Sequence, residues 1–350
     1  MKTGATNLSS GEMLKREPDV TVAMAFARVD ASQNPNQRSR NGEDAATAYF
    51  RCMVVAYSSF RRFNPNLRLT LITDSRPLQP FAAQLNGLRV EVIEVPFSHR
   101  PPEGFSDRFT SSLYLLDAVT TLKTENALFV DPDVLCVRAL GSMVAAAGGR
   151  VAVLPIAFDP DKRVIGLSGR EAGQLHEILG ELPGPPVHLG GEMYLFPRQY
   201  AETIQQRIGA AWELTLKRHS LGQSKFWTEE HIMNYVLRGV PTTDMRAFVR
   251  RIWTAHSVRY VDGSEKNLTL WHLPAEKDRG FASVYPLAID HESWFWTATD
   301  DDFVERASRA MGLHHRKFSR FILDMAGRAW AGLHSLVSAE QDLKEPAPLL

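Results

Sequence analysis

Two aspartates separated by one proline are the residues of this 350-residue chain whose types and spacing best suit chemistry. Asp131 and Asp133 follow the apolar run 127–130 and precede a second apolar run. Residues i and i+2 of an extended chain point to the same side, so the two carboxylates can meet at one point. They repel each other unless a cation joins them, and hard oxygen ligands favour Mg²⁺ or Mn²⁺, which in turn bind phosphate oxygens. The alternative is a plain strand-to-turn connection, since Asp and Pro are common turn residues.

A second candidate is the segment 188–196, which we predict to be a strand that begins with two glycines. Gly190 and Gly191 lack side chains, so the backbone there could approach a ligand closely, and Glu192 adds a carboxylate directly after them. The same residues are also compatible with a β-bulge, in which case Glu192 would be a charge at the rim. The pattern alone leaves both interpretations open.

The elements that carry these residues alternate between strand and helix. We predict strands at 19–29, 67–73, 90–95, 127–130, 151–158 and 188–196, and helices at 45–62, 78–85, 110–122, 138–147, 201–218 and 228–237. Such alternation favours an α/β fold with a mostly parallel sheet flanked by helices. Open sheets of this kind bind ligands at the carboxyl ends of their strands, which is where Asp131 and Asp133 stand.

The same pattern suggests three regions. Residues 1–18 are polar and are predicted to form a flexible N-terminal tail. Residues 19–290 are predicted to form one domain, because the part beyond the first half reads as an elaboration of the same sheet. Residues 291–350 are predicted to form a C-terminal helical extension.

Composition narrows the classes of function. Lys and Arg together number 40, as do Asp and Glu, and this zero net charge argues against a nucleic-acid-binding protein, which normally carries a basic excess. The two cysteines, Cys52 and Cys136, are too few for a disulfide framework and are predicted to be buried thiols. No secretory signal and no run of about 18 apolar residues stands out, so we expect a cytoplasmic protein.

Four segments, taken in order, resemble blocks of the GT-A-fold glycosyltransferases. They are NALFVDPDVLCVRAL (126–140), HLGGEMYLF (188–196), TEEHIMNYVL (228–237) and LWHLPAEK (270–277). Their order and spacing are most similar to the family-8 type of retaining nucleotide-sugar transferases. The resemblance spans about residues 19–285, and it implies a GT-A-like sheet and metal-dependent transfer of a sugar.

At the donor diphosphate, the resemblance implies a role for each matching residue. Asp131 and Asp133, with His272 as the third protein ligand, would hold Mn²⁺ or Mg²⁺, and Asp131 would also contact the nucleotide. Lys277 and Arg108 would neutralise the diphosphate, where negative charge develops as the nucleoside diphosphate leaves. The alternatives are an ordinary half-buried histidine and two solvated surface cations.

At the sugar, the resemblance implies catalytic roles for Glu192, near the anomeric carbon, and for a glutamate at the start of helix 228–237. Neighbouring residues on a helix lie about 100° apart, so we expect only one of Glu229 and Glu230 to face the cleft. We assign the role to Glu230, although the pattern does not distinguish the two. Asp74, after strand 67–73, is a candidate nucleotide contact or else a helix cap or turn residue.

The last motif departs from the family pattern. Ala275 and Asp278 occupy places where the family has Gly and Lys, and Lys277 comes one place early. This departure leaves a non-catalytic binding protein on the same scaffold as one alternative. A nucleotidyltransferase is another, because it would also combine an α/β sheet, paired aspartates and a metal. The first strand is, however, not followed by a glycine-rich loop that carries Arg or Lys.

The expected function is the transfer of a sugar, with retention of configuration, from a nucleoside-diphosphate sugar to a hydroxyl group. We expect a UDP-sugar as the donor and a saccharide or lipid-linked acceptor, in surface polysaccharide or glycolipid assembly. No nucleic-acid partner is expected.

Basic residues outside these motifs are given a structural interpretation. The pairs Arg61-Arg62 and Arg250-Arg251 are predicted to be solvated surface charges. Residues 314–337 combine an apolar stripe with basic residues. That stretch is compatible with a peripheral helix at the inner face of a membrane, or with packing on the domain.

Overall fold

The computed structural model describes residues 19–29, 45–105, 109–157, 159–255 and 257–314. In these ranges the strands are, in chain order, β1 (Thr21–Phe26), β2 (Arg68–Thr73), β3 (Val90–Glu94), β4 (Asn126–Val130), β5 (Val134–Cys136), β6 (Val151–Pro155), β7 (Arg163–Val164), β8 (Leu167–Ser168), β9 (Leu189–Pro197), β10 (Thr242–Asp244), β11 (Val249–Arg251) and β12 (Leu270–His272). The α-helices are α1 (Ala45–Phe63), α2 (Phe81–Gly87), α3 (Leu115–Val119), α4 (Gly141–Ala147), α5 (Gly169–Ile178), α6 (Ala201–Ser220), α7 (Glu229–Val236), α8 (Ala282–Ile289), α9 (Trp294–Thr297) and α10 (Asp300–Ala310).

A seven-stranded sheet forms the centre of the fold, in the order β10-β6-β9-β4-β1-β2-β3. Strands β4, β1, β2 and β3 run parallel to one another, and β10 runs parallel to β6. Strand β9 lies between β4 and β6 and is antiparallel to both. The prediction of an α/β fold with a mostly parallel sheet is confirmed, and β9 and β10 continue the same sheet.

Helix α1 shows how the apolar pattern fixes an element against this sheet. Phe50, Met53, Val54 and Tyr57 recur at helical spacing and are at most 5% exposed. They belong to one apolar cluster with residues of β1 and β2. The Tyr57 hydroxyl also donates a hydrogen bond of 2.6 Å to the carbonyl of Thr70. Burial of each large apolar side chain stabilises the fold by about 1.5–3 kcal/mol, so this face holds α1 in place.

A second, three-stranded sheet positions the last sequence motif. Its order is β11-β12-β5, with β12 antiparallel to β5 and parallel to β11. In this register His272 is the partner of Val134 on one side and of Arg251 on the other. The end of β12 therefore lies beside the turn between β4 and β5, which contains Asp131 and Asp133.

The pair Arg61-Arg62 bonds to backbone carbonyls, so the prediction that both are solvated surface charges is wrong. Arg62 donates hydrogen bonds of 2.8, 2.7 and 2.5 Å to three backbone carbonyls in the segment 295–298. Arg61 donates hydrogen bonds of 3.2 and 2.9 Å to the carbonyl of Leu88. These carbonyls lie at the ends of short helices, where backbone acceptors lack intrahelical partners. The two arginines thus tie α1 to neighbouring elements.

The helices α8, α9 and α10 pack beside the small sheet. Phe295 and Phe303 are fully buried in one apolar cluster with Trp271 of β12. The predicted tail, 1–18, and all but the first residue of 314–337 lie outside the described residues, so the proposed domain division stays a prediction. No helix of the described ranges combines the length and hydropathy that crossing a membrane requires.

The predicted helix 110–122 is shorter and less regular than expected. A 3₁₀ segment, Thr110–Tyr114, precedes α3, and Phe109 before it has a φ of 61°. Ser and Thr hydroxyls bond to nearby backbone and so weaken regular helix. Here the hydroxyl of Ser112 donates to the carbonyl of Phe109 at 2.8 Å.

Cys52 and Cys136 are buried thiols that form no disulfide, as predicted.

Candidate active site

The structure brings together Asp131, Asp133 and His272, the candidate metal ligands, which we call the ligand triplet. Backbone hydrogen bonds fix the turn: Asp131 N donates to the carbonyl of Glu192 at 3.1 Å, and Leu273 N donates to that of Asp133 at 3.0 Å. One side-chain ligand atom from each of the three residues lies within 4.8 Å of the others. Nε2 of His272 is 3.4 Å from a carboxylate oxygen of each aspartate.

Charge in this cluster is balanced by Lys277 and His272. The Asp133 side chain is 2% exposed, and its Oδ2 contacts the ammonium of Lys277. Burial alone would raise the pKa of Asp133, but Lys277 and His272 outweigh it and hold that pKa well below its usual range. Burial alone would lower the pKa of His272, but the carboxylates of Asp133 and Glu192 raise it to about 10.

This donor set suits a divalent cation. Two carboxylates and one imidazole nitrogen converge, a set of ligands that could hold Mn²⁺ or Mg²⁺, and the imidazole favours Mn²⁺ somewhat. Nε2 of His272 faces the two aspartates, and the buried Nδ1 lies 3.8 Å from a carboxylate oxygen of Glu192, beyond hydrogen-bond distance. Because His272 must be neutral to act as a ligand, cation binding would release its proton.

A cavity of about 580 Å³ opens over this cluster. Its walls come from the carboxyl end of β1, the turn after β4, the amino end of α7, the end of β11 and the segment 274–279. The volume lies within the range typical of small-molecule sites. Residues outside the sequence motifs, which carry no local signal of a site, also line it, among them Tyr49, Ser111, Ser112, Trp253 and Arg279.

Arg251 joins two glutamates next to the ligand triplet. Its Nε and Nη2 donate to the two carboxylate oxygens of Glu192 at 3.0 and 2.6 Å. Nη2 also donates to Oε1 of Glu230 at 2.7 Å. The side chains of Arg251, Glu192 and Glu230 are 25%, 0% and 12% exposed. The prediction of a solvated Arg251 is wrong, because β11 pairs with β12 and ends at the site.

The geometry also revises the role expected of Glu192. Glu192 does not line the 580 Å³ cavity, and both of its carboxylate oxygens are bonded to Arg251. Its side chain is fully buried behind the cavity wall, and its hydrogen bonds hold Arg251. The register of β9 against β6 shifts between Val153 and Pro155, which agrees with the bulge interpretation. The interpretation as a rim charge does not hold.

Glu229 and Glu230 both line the cavity, whereas we expected only one to do so. Both stand in the first turn of α7, whose amino end points at the cavity. Their side chains can therefore both reach the cavity, although they lie about 100° apart around the helix axis. Burial and the adjacent Glu230 raise the pKa of Glu229. Burial opposes ionisation of Glu230 too, but the nearby His188 and Arg251 outweigh it and lower its pKa. The two carboxyl groups thus favour opposite protonation states.

The two glycines of β9 leave room for these carboxylates. A Cβ on Gly190 would lie 2.0 Å from Oε2 of Glu192 and 2.6 Å from the side chain of Ile156. We expect Gly190→Ala to displace the Glu192 carboxylate and to lower the free energy of unfolding by about 1–3 kcal/mol, measured by urea denaturation. Gly209→Ala is the matched control, because a Cβ there meets nothing within 4 Å, on helix α6. It should stabilise by about 0.5–1 kcal/mol, and equal losses in both variants would contradict the argument.

Two further candidates lie elsewhere. The carboxylate of Asp74 accepts a hydrogen bond of 2.8 Å from the backbone N–H of Arg28 and lies 3.5 Å from the guanidinium of Arg100. It holds the chain that leaves β1 and is not among the residues that line the cavity. Arg108 lies outside the described residues.

Comparison with known proteins identifies similar folds among solved glycosyltransferases. The galactosyltransferase LgtC, in complex with donor and acceptor sugar analogs, is 12% identical, with a TM-score of 0.45 over 83% of this chain and 95% of LgtC. The bifunctional glycosyltransferase WbbM in its apo form is 12% identical, with a TM-score of 0.48 over 84% of this chain and 52% of WbbM. GlyE of Streptococcus pneumoniae TIGR4 is 13% identical, with a TM-score of 0.43 over 84% and 65%. At this identity the similarity concerns the fold alone. No protein-family model and no curated protein matches the chain.

Proposed function

We propose that this protein is a metal-dependent glycosyltransferase that moves a sugar from a nucleoside-diphosphate sugar to a hydroxyl group. The observation that carries the proposal is the cluster of Asp131, Asp133 and His272 at the wall of a 580 Å³ cavity, with the ammonium of Lys277 against it. Such a cluster can hold a cation and a diphosphate side by side. The order of motifs along the chain supports the same function.

On the diphosphate side, a divalent cation held by the triplet would neutralise phosphate charge. Lys277 contacts one oxygen of Asp133 and lines the cavity, so its remaining hydrogens can bind a phosphate oxygen. That positive charge lies where a departing nucleoside diphosphate becomes more negative, which lowers the barrier to transfer. Arg279, in the same wall, adds a second cation.

On the sugar side, Glu230 is the carboxylate best placed to act. The backbone N–H of Gly191 donates to Oε1 of Glu230 at 2.8 Å, and Arg251 holds the same oxygen. An anion fixed in this way would stabilise positive charge at an anomeric carbon and accept a hydrogen bond from a sugar hydroxyl. Glu229, whose pKa is raised, would donate a hydrogen bond from its protonated carboxyl group. Retention of configuration, a UDP-linked donor and a cytoplasmic location remain parts of this proposal.

The first test is a thermal-shift panel of UDP, GDP, ADP and CDP, each with Mn²⁺ and with EDTA. A ligand that binds only the folded state stabilises it by about 2.7 kcal/mol at 100 times its Kd. We expect one nucleotide to raise Tm by several degrees with Mn²⁺ and to have little effect with EDTA. Turnover of the matching nucleotide-sugar should release the nucleoside diphosphate. Release of pyrophosphate, or no shift with any nucleotide in a folded sample, would count against the proposal.

A further inference from the structure

A second cavity, of about 450 Å³, adjoins the first across a thin wall. The turn between β7 and β8 contributes Ile165 to the first cavity and Gly166 to the second. The segment after α6 does the same, with Thr228 in the first cavity and Trp227 in the second. Consecutive Cα atoms are about 3.8 Å apart, so these neighbouring residues place the two cavities next to each other.

The second cavity contains a buried cation. Lys225 is 5% exposed, and its Nζ lies 3.4 Å from the ring centre of Trp227 and 4.7 Å from that of Phe105. Lys225 has no ion pair with any acidic residue in the part of the chain that the structure describes. The two aromatic rings replace part of the hydration of the ammonium, but neither ring supplies a negative charge.

The other charged groups of this cavity neutralise each other. Glu171 accepts a hydrogen bond of 2.5 Å from Arg163 through one oxygen and one of 2.8 Å from the backbone N–H of Ser168 through the other. Both carboxylate oxygens are therefore occupied within the protein. The charge of Lys225 remains uncompensated, and a buried ammonium without a counter-charge favours the arrival of an anion.

The loop that carries Lys225 is held in place before any ligand arrives. The Nε of Arg218 donates to the carbonyl of Ser224, and the backbone N–H of Gln223 donates to the carbonyl of Arg218 at 2.9 Å. Gly222, at a φ of 64°, makes the turn between these contacts. A cation on a loop fixed in this way loses little freedom on binding, which favours affinity.

We propose that this second cavity binds an anionic group, a carboxylate or a phosphate, on the acceptor saccharide, with Lys225 as the recognising cation. The assignment of the ligand as the acceptor rests on the proposed transferase function, because the first cavity would then hold the donor. A neutral saccharide would leave the ammonium of Lys225 buried without a counter-charge. The geometry therefore selects an acidic or phosphorylated glycan over a neutral one.

The test compares three probes that differ in one group: cellobiose, cellobiouronic acid and a phosphorylated cellobiose. Binding to the full chain is measured by calorimetry at low and moderate salt, without nucleotide or metal. The native protein should bind at least one anionic probe about 10-fold or more tightly than cellobiose. Lys225→Met should remove that preference, and Lys225→Arg should keep most of it. Lys217→Met, at an exposed lysine of α6, is the matched control and should bind as the native protein does.

Equal binding of all three probes to the native protein would overturn the proposal, as would a preference that survives in Lys225→Met. The Tm of each variant shows whether it is folded, and Lys225→Arg keeps the charge if Met disturbs the loop. The two proposals can fail separately. Anion preference without any nucleotide shift would leave the cavity assigned but refute the transferase. A nucleotide shift without anion preference would refute only the acceptor class.

Discussion

Replacing Asp133 by asparagine is expected to weaken Mn²⁺ binding at least about 100-fold and to remove the Mn²⁺-dependent part of nucleotide binding. The carboxylate faces Nε2 of His272 at 3.4 Å and is 2% exposed, so no water can take its place without rearrangement. Asparagine has nearly the same shape but offers a neutral amide. If the proposed function holds, turnover of the nucleotide-sugar should fall by at least about 100-fold as well. Electron paramagnetic resonance of Mn²⁺ titrations measures the first effect directly.

Asp278→Asn is the matched control for that variant. Asp278 lines the same cavity but does not belong to the ligand triplet, so the substitution removes one negative charge without removing a ligand. We expect it to change Mn²⁺ affinity no more than about threefold, the effect of one partly screened charge. If both variants lost affinity equally, the cation would be attracted by the general field of the cavity rather than held by Asp133. The Tm without metal shows whether either variant is folded.

The ligand triplet could be predicted because its signals are local. Residues 127–130 form a short apolar run that ends abruptly in Asp131 and Asp133, and that sequence of a buried strand followed by polar residues is readable without a structure. The family resemblance predicts that His272 lies near the two aspartates, and the structure confirms that proximity. Helix α1 could also be predicted from the sequence, because its apolar residues recur at helical spacing. In each case the residues that define the feature lie within one element or one motif.

The partners of Glu192 could not be predicted in this way. Arg251 lies 59 residues further along the chain, and only the pairing of β11 with β12 brings it to Glu192. In the sequence, Arg250 and Arg251 form an unremarkable basic pair between short β-like runs, and spacing does not show which of them turns inward. Lys225 gave no signal at all, because its loop has neither periodicity nor a motif. Contacts of this range depend on how the sheets assemble.

Arg251 connects the two halves of the candidate site. It bonds to Glu192, whose carboxylate lies 3.8 Å from Nδ1 of His272. It also bonds to Glu230, which lies at the proposed sugar position. Two buried carboxylates so close to each other are tolerated because one guanidinium bonds to both. The arrangement therefore couples the stability of the fold to the geometry of the site.

Arg251→Met is accordingly expected to lower the free energy of unfolding by about 3–5 kcal/mol at neutral pH, because it leaves two buried carboxylates without their cation. Arg246→Met, in the turn before β11, is the matched control. The Arg246 side chain is 66% exposed and pairs with the exposed Asp244, so its loss should leave the free energy of unfolding nearly unchanged. Urea denaturation of both variants measures the difference. Similar losses would mean that the contacts of Arg251 with Glu192 and Glu230 contribute no more than a surface ion pair.

The pH dependence of stability separates this explanation from a simple packing defect. Burial opposes ionisation of both glutamates, but His272 and Arg251 together lower the pKa of Glu192, and His188 and Arg251 together lower that of Glu230. Their contribution to stability is therefore present above the unfolded pKa near 4.3 and is lost as the pH falls through the folded values. Without Arg251 both pKa values should rise, because burial is then opposed by the histidines without the guanidinium. The difference in free energy of unfolding between the native protein and Arg251→Met should therefore decrease along a measurable slope as the pH is lowered from 7 toward 4. Adding Glu192→Gln to Arg251→Met should recover part of the loss and flatten that slope, since it removes one of the two buried charges. A double variant no more stable than Arg251→Met, with the same pH slope, would show that the loss comes from packing and not from unpaired carboxylates.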